Sequence, residues 1–223
     1  MKNNVKNRTE ATVPAETTEL VFILDRSGSM GGLESDTIGG YNGLLAKQKN
    51  EPGRAFVTTV LFDDRYETIH DRADIASVDP LTTKEYYARG CTALLDAVGR
   101  TVTHIASLHK ALGRHAPEKT LFVITTDGLE NASREYTAEK VKKLIEKQKK
   151  AGWEFLFLGA NIDAVATAKQ YGIDEDRAVT YQADSRGTEL NFEAVDNAVR
   201  CFRTTAAMPK AWKEDIETYR HSH

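Results

Sequence analysis

Five oxygen-bearing side chains stand in three short segments that suit the holding of a metal ion. They are Asp25, Ser27 and Ser29 in Asp-Arg-Ser-Gly-Ser, Thr92 in Gly-Cys-Thr-Ala-Leu, and Asp127 in Thr-Thr-Asp-Gly. All are hard oxygen donors, with no thiolate or imidazole among them, a set that suits Mg²⁺ or Mn²⁺ rather than Zn²⁺. Alternate residues 25, 27 and 29 can converge on one point in an irregular turn, and Gly28 permits that bend. Three neutral hydroxyls leave a bound cation electron-poor, so the expected completing ligand comes from outside, as an Asp or Glu carboxylate of a partner protein.

The periodicity places these segments at the ends of regular elements. Leu20–Leu24 is a continuous apolar run ending at Asp25, as a strand buried on both faces would be. Helical spacing of Ile38, Tyr41, Leu44 and Leu45 runs to about Lys49, and Pro52-Gly53 stops it. Gly39 and Gly40 each cost that helix about 1 kcal/mol relative to Ala, which predicts a close approach to the sheet. Residues 56–62 read as a strand, followed at Asp63-Asp64 by a turn into a shorter strand at 67–70, a hairpin at one sheet edge. A long apolar stripe from Leu94 to Leu112 predicts a helix that Thr92 precedes, and Leu121–Ile124 predicts the strand that Asp127 follows. A helix at 138–151, strands at 155–158 and 178–181, and helices at 165–171 and 192–204 complete the set. Alternating strands and helices of this kind predict an α/β fold: a doubly wound, mostly parallel sheet with helices on both faces and one antiparallel edge hairpin. In such sheets ligands bind beyond the carboxyl ends of the strands, where the five residues fall.

The 223 residues divide on this reading into a flexible polar arm at 1–17, one domain at 18–205 and a tail at 206–223. In the tail Trp212, Ile216 and Tyr219 repeat at helical spacing after Pro209, predicting a short helix that docks its aromatic face on its own domain or, as the alternative, in a partner's groove. Thirty Lys and Arg against 33 Asp and Glu give a net charge of −3, which speaks against nucleic-acid binding through a strong basic field. No apolar run approaches the ~18–20 residues of a membrane span, and the basic N-terminus lacks the apolar stretch of a secretory signal. Two distant cysteines, Cys91 and Cys201, fit free thiols in a reducing cytoplasm.

Taken together, Asp25-x-Ser27-x-Ser29, Thr92 in Gly-Cys-Thr-Ala-Leu-Leu-Asp-Ala and Asp127 in Thr-Thr-Asp-Gly resemble the metal-ion-dependent adhesion site of von Willebrand factor A domains. The likeness covers residues 18–205 in element order and is nearest to small cytoplasmic bacterial members. It implies that Ser27, Ser29 and Thr92 ligate a metal directly or through water, with Asp25 and Asp127 beside or behind them. It further implies a protein-binding module rather than an enzyme, with a partner such as an ATPase or chaperone-like protein. Met30, Leu129 and Glu130 adjoin the ligands and are the expected rim for that partner.

Other readings compete. Asp25, Ser27 and Ser29 suit a helix-capping turn, Thr92 suits a cap of its helix, and Asp127 suits an Asx-turn with Gly128. Asp96 reads as a first-turn charge complementing the helix dipole. A metal-dependent hydrolase or phosphatase with Asp25 or Ser29 as nucleophile is the alternative function. Ser29 nearly sits in a Gly-x-Ser-x-Gly elbow, but Ser27 replaces its first glycine and no histidine motif accompanies it. Asp25 lacks the second carboxylate, two residues on, that phosphoryl transfer would use as a general acid. No phosphate-binding Gly-x-x-x-x-Gly-Lys loop occurs. The six lysines of 139–150 read as a solvated helix face.

Overall fold

The computed structural model describes residues 16–222. Six strands form one sheet: β1 (Thr17–Asp25), β2 (Arg54–Phe62), β3 (Tyr66–Asp74), β4 (Lys119–Thr126), β5 (Trp153–Ala160) and β6 (Ala178–Tyr181). Their order is β3-β2-β1-β4-β5-β6, with β2 and β3 antiparallel and every other pair parallel. Six helices accompany them: α1 (Glu34–Gln48), α2 (Leu94–Leu112), α3 (Ala138–Lys149), α4 (Ala164–Gln170), α5 (Ser185–Thr205) and α6 (Glu214–Ser222).

The apolar run of β1 serves two cores because successive side chains point to opposite faces. Leu20, Phe22 and Leu24 join Tyr41, Leu44 and Leu45 of α1, Val195 and Val199 of α5, and Ile216 of α6. Val21 and Ile23 join Leu94 and Val98 of α2, Val141 and Ile145 of α3, and Ala164 and Ala168 of α4. The sheet is therefore covered on both faces, and β1 and β4 end in step, with Leu24 opposite Thr125. That register brings Asp25 beside Thr126 and Asp127 at the carboxyl edge.

Several elements extend beyond their apolar signatures. Helix α1 starts at Glu34, and β3 runs the full nine residues from Tyr66 to Asp74, largely half-exposed as an edge strand is. Helix α5 starts seven residues before Phe192, capped by Asp184, whose Oδ1 accepts from the Gly187 N–H at 2.7 Å. The predicted arm lies outside the described residues as far as residue 15, and Thr17 already opens β1. Residues 206–222 pack on the sheet domain: Trp212 and Ile216 are buried, and the Trp212 indole donates to Asp176 O at 2.8 Å. On α3, Lys143 pairs with Glu139 and Lys142 with Glu146, as on a solvated face.

The expected approach of Gly39 and Gly40 to the sheet is corrected to a helix–helix contact at one of them. A Cβ on Gly40 would overlap the ring of Phe192 on α5, whereas one on Gly39 or Gly43 would meet nothing. Gly40→Ala should therefore destabilise the chain by about 1–3 kcal/mol through overpacking. Gly43→Ala should instead stabilise it by roughly 0.5–1 kcal/mol, the ordinary gain of Ala over Gly inside a helix. Urea unfolding of the two variants checks the difference in sign; equal effects would refute the packing assignment.

Candidate metal centre

Beyond Asp25 the chain turns through one 3₁₀ turn, Gly28–Met30, with Ser27 at its head. Asp25 is 1% exposed. Its Oδ1 accepts from the Ser27 N–H at 2.7 Å and its Oδ2 from the Thr126 hydroxyl at 2.6 Å. The Ser27 and Ser29 hydroxyls lie 3.1 Å apart, and Ser29 donates to Asp127 Oδ1 at 2.5 Å. Asp127 Oδ2 is buried and has no hydrogen-bond partner.

Thr92 closes the arrangement from the third segment. A Cβ built on Gly128 would lie 3.0 Å from Thr92 Oγ1, 3.2 Å from Ser29 Oγ and 3.9 Å from Ser27 Oγ. Three hydroxyls thus surround one small space that only a glycine at 128 leaves open. All five expected residues come together there. Ser29 and Gly28 are exposed, so the cradle has its mouth at the surface, while Ser27, Thr92 and both carboxylates are buried.

Asp25 closes an Asx-turn onto the Ser27 N–H, but Ser27, Thr92 and Asp127 are not used as a simple turn or cap would use them. Ser27 makes no side-chain cap to its turn, Thr92 is not the cap of α2, and the Gly128 N–H reaches Thr126 Oγ1 at 3.4 Å, not Asp127. Burial pushes the Asp25 carboxyl up to about 6, with the neighbouring Asp127 charge adding to it against hydrogen bonds from Thr126 and Ser27. Burial also raises Asp127, opposed by the Ser29 hydrogen bond. Two buried carboxyls in one neighbourhood favour the presence of positive charge near them.

The expected rim is corrected at two of its three positions. Leu129 is 69% exposed beside the cradle. Met30 is 2% exposed, because the 3₁₀ turn swings it inward into the α1 side of the core. Glu130 is half-buried and committed to the protein: its Oε2 accepts from Leu95 N at 2.8 Å and its Oε1 from Ser133 N at 2.8 Å. Asp96 is likewise more than a dipole complement, since its carboxylate accepts the N–H groups of Arg134, Glu135 and Tyr136.

Sequence reasoning missed the ionic support under the 25–30 loop. Arg26, 1% exposed, donates from Nε to Asp63 Oδ2 at 3.1 Å, from Nη1 to Glu85 O at 2.7 Å and from Nη2 to Glu67 Oε2 at 2.5 Å. Arg89 shares Asp63 Oδ2 at 2.6 Å, and its backbone N–H bonds Arg26 O at 2.9 Å. Burial raises the Asp63 carboxyl, but Arg89, the Arg65 N–H and Arg26 together hold it below its ordinary range. The only signal in the sequence was the Asp63-Asp64 turn, which reads equally well as plain turn chemistry. Of the histidines weighed for a nucleophilic Ser29, His104 bonds Asp71 and His109 lies against Glu19 and Trp153.

By sequence, the chain matches no protein family and no curated protein. By structure it is similar to proximal thread matrix protein 1 from the mussel byssus, with a TM-score of 0.54 at 15% identity over 83% of this chain and 47% of that one. A von Willebrand factor type A protein from Catenulispora acidiphila gives 0.52 at 13% identity over 83% and 43%. The vWF domain of the type V pili tip protein Mfa5 from Porphyromonas gingivalis gives 0.55 at 11% identity over 83% and 95%. The chain thus spans less than half the length of the first two. At such identities the likeness is one of architecture, and the sheet that carries the cradle has the fold of the von Willebrand factor type A domains.

Proposed function

We propose that the chain is a protein-interaction module whose Ser27, Ser29 and Thr92 hydroxyls, backed by Asp25 and Asp127, hold Mg²⁺ or Mn²⁺ for a partner's carboxylate. The observation that carries this reading is the cradle at Gly128: three hydroxyls around one open space, beside a buried carboxylate oxygen that lacks a partner. The donor set fits such an ion, being all oxygen with two carboxylates to balance charge. When bound, the cation supplies a Lewis-acidic centre that accepts an Asp or Glu oxygen from outside.

The chain's own residues do the rest. Asp25 holds the Ser27 backbone and Thr126 in place, while Asp127 orients the Ser29 hydroxyl. Leu129 and Tyr87, exposed large apolar side chains, stand on the loops that wall the cradle and form the proposed rim. Folds similar to this one occur in a pilus tip protein and a byssal thread matrix protein, which supports a role in binding protein. Cys91 and Cys201 are free, which suits a reducing compartment, and the reading places the module in the cytoplasm. No helix among the described residues is long and apolar enough to cross a membrane.

The test is capture of partners from native lysate with Mg²⁺, with chelator, and with Ser27→Ala in Mg²⁺. The expected result is a set of partners present in the first condition and lost in the other two. The same partners under all three conditions would refute the bridge.

A further inference from the structure

The segment after Asp127 does more than connect β4 to α3. A helix N-terminus leaves backbone N–H groups without intrahelical partners, and a Thr just before the helix ordinarily folds its hydroxyl back to accept one of them. Thr92 used in that way would turn its hydroxyl back onto the helix rather than toward Gly128. Here the N–H groups at the start of α2 are satisfied from other parts of the chain. Ala93 N donates to Asp63 O at 2.9 Å, Leu95 N to Glu130 Oε2 at 2.8 Å, and Asp96 N to Ser133 Oγ at 3.0 Å. Thr92 N donates to Asn131 Oδ1 at 2.9 Å, and Asn131 N returns a bond to Thr92 O at 3.0 Å.

We propose that Asn131 is the positioning residue for the third hydroxyl of the cradle, fixing both backbone groups of Thr92 so that its Oγ1 faces the space beside Gly128. This rests on the reading that the cradle holds a cation. Two antiparallel hydrogen bonds to one residue leave its side chain little freedom beyond rotation about χ1. Asn131 itself is anchored: Glu130 beside it accepts from Ala132 N at 3.0 Å and Ser133 N at 2.8 Å, and Asp96 of α2 accepts three amides of 134–136. One loop therefore supplies Asp127 as an acidic group and, four residues later, the clamp on Thr92. Outer partners that orient metal ligands in this way typically govern affinity by ~10–100-fold.

Asn131 is exposed, so replacing it opens no cavity. The test measures Mn²⁺ affinity of the full chain by electron paramagnetic resonance, together with amide hydrogen exchange of the metal-free protein. Asn131→Leu should lose ~10–100-fold in affinity and speed exchange at the Thr92 amide, leaving β1 and β4 protected. Asn131→Asp, which keeps the acceptor oxygen, should hold Mn²⁺ at least as tightly as the parent and protect Thr92 equally. Thr92→Ala should match Asn131→Leu in affinity, with no further loss when the two are combined. Parental affinity in Asn131→Leu, unchanged exchange at Thr92, or acceleration spread equally over β1 and β4 would each overturn the assignment. A parent chain that binds no Mn²⁺ would instead sink the cation reading, and the exchange data would still decide whether Asn131 holds Thr92.

Discussion

Arg26→Ala will cost the chain about 3–5 kcal/mol of stability, the usual penalty for breaking one side of a buried ion pair. The guanidinium is 1% exposed and spans three acceptors: Asp63 Oδ2, Glu85 O and Glu67 Oε2. Truncation strands Asp63, which is fully buried, with Arg89 and the Arg65 N–H as its remaining support. It also removes the donor to the part-buried Glu85 carbonyl. Arg26→Lys keeps the charge but cannot reach three acceptors from one ammonium, so it should fall between parent and Ala. Glu67→Ala should cost under about 1 kcal/mol, because that carboxylate is half in water and screened. Because Arg26 lies between Asp25 and Ser27, the loss should also loosen the 25–30 loop, visible as broadened amide signals at 27–30. Urea unfolding with an unchanged slope measures the main effect. A loss below that of Glu67→Ala would show that the network is not what supports the loop.

The fold was legible because buried strands in a parallel sheet are written as continuous apolar runs, as in Leu20–Leu24 and Leu121–Ile124. The cradle was legible for a related reason: its residues directly follow those runs or precede the Leu94 stripe, so strand order alone brings them to one edge. Their types, acid and hydroxyl without nitrogen or sulfur, then point to a chemistry. What lies beneath the cradle was not legible. Arg26 reads as the variable position of its motif, and its partners Asp63, Glu67 and Glu85 lie 37 to 59 residues away. No local pattern links residues that are brought together by the β2–β3 hairpin and, for Glu85, by the segment that follows β3. Glu130 reads as a polar loop residue, since nothing in its neighbours announces that it caps a helix 35 residues earlier. Met30 failed differently: a single 3₁₀ turn rotates it into the core, and three residues are too few to show a period. The first turn of α5 was hidden because Ser185–Glu189 carry no large apolar side chain and Thr188 is buried yet polar, leaving Leu190 and Phe192 as the first apolar markers.

Mg²⁺ should raise the melting temperature of the chain at pH 8 and lose most of that effect at pH 5. In the metal-free protein both cradle carboxyls are raised, Asp25 from 3.8 to about 6. A group raised in the folded state holds its proton more tightly there than in the unfolded chain. Its favourable contribution is therefore present in acid and is lost as pH climbs from near 4 through about 6. For Asp25 that displacement corresponds to a cost on the order of 3 kcal/mol at neutral pH and above. A cation held at the cradle would offset the same charge. At 100 times its Kd it adds about 2.7 kcal/mol, or roughly 5–10 °C in a domain of this size. At pH 5 Asp25 is largely protonated, so the ion must displace a proton to bind and the shift shrinks. Asp25→Asn separates the two effects. The amide keeps an acceptor for the Ser27 N–H, and the Thr126 hydroxyl can rotate to accept from its NH₂, so the local bonds survive without the charge. This variant should melt higher than the parent at pH 8 in chelator, and should gain little from Mg²⁺ at either pH. Thermal unfolding of both proteins at pH 5 and 8, with and without millimolar Mg²⁺, makes the comparison. A Mg²⁺ response equal at both pH values, or intact in Asp25→Asn, would mean that the ion binds elsewhere. The stability of the empty chain and its affinity for the cation thus oppose each other through one carboxylate.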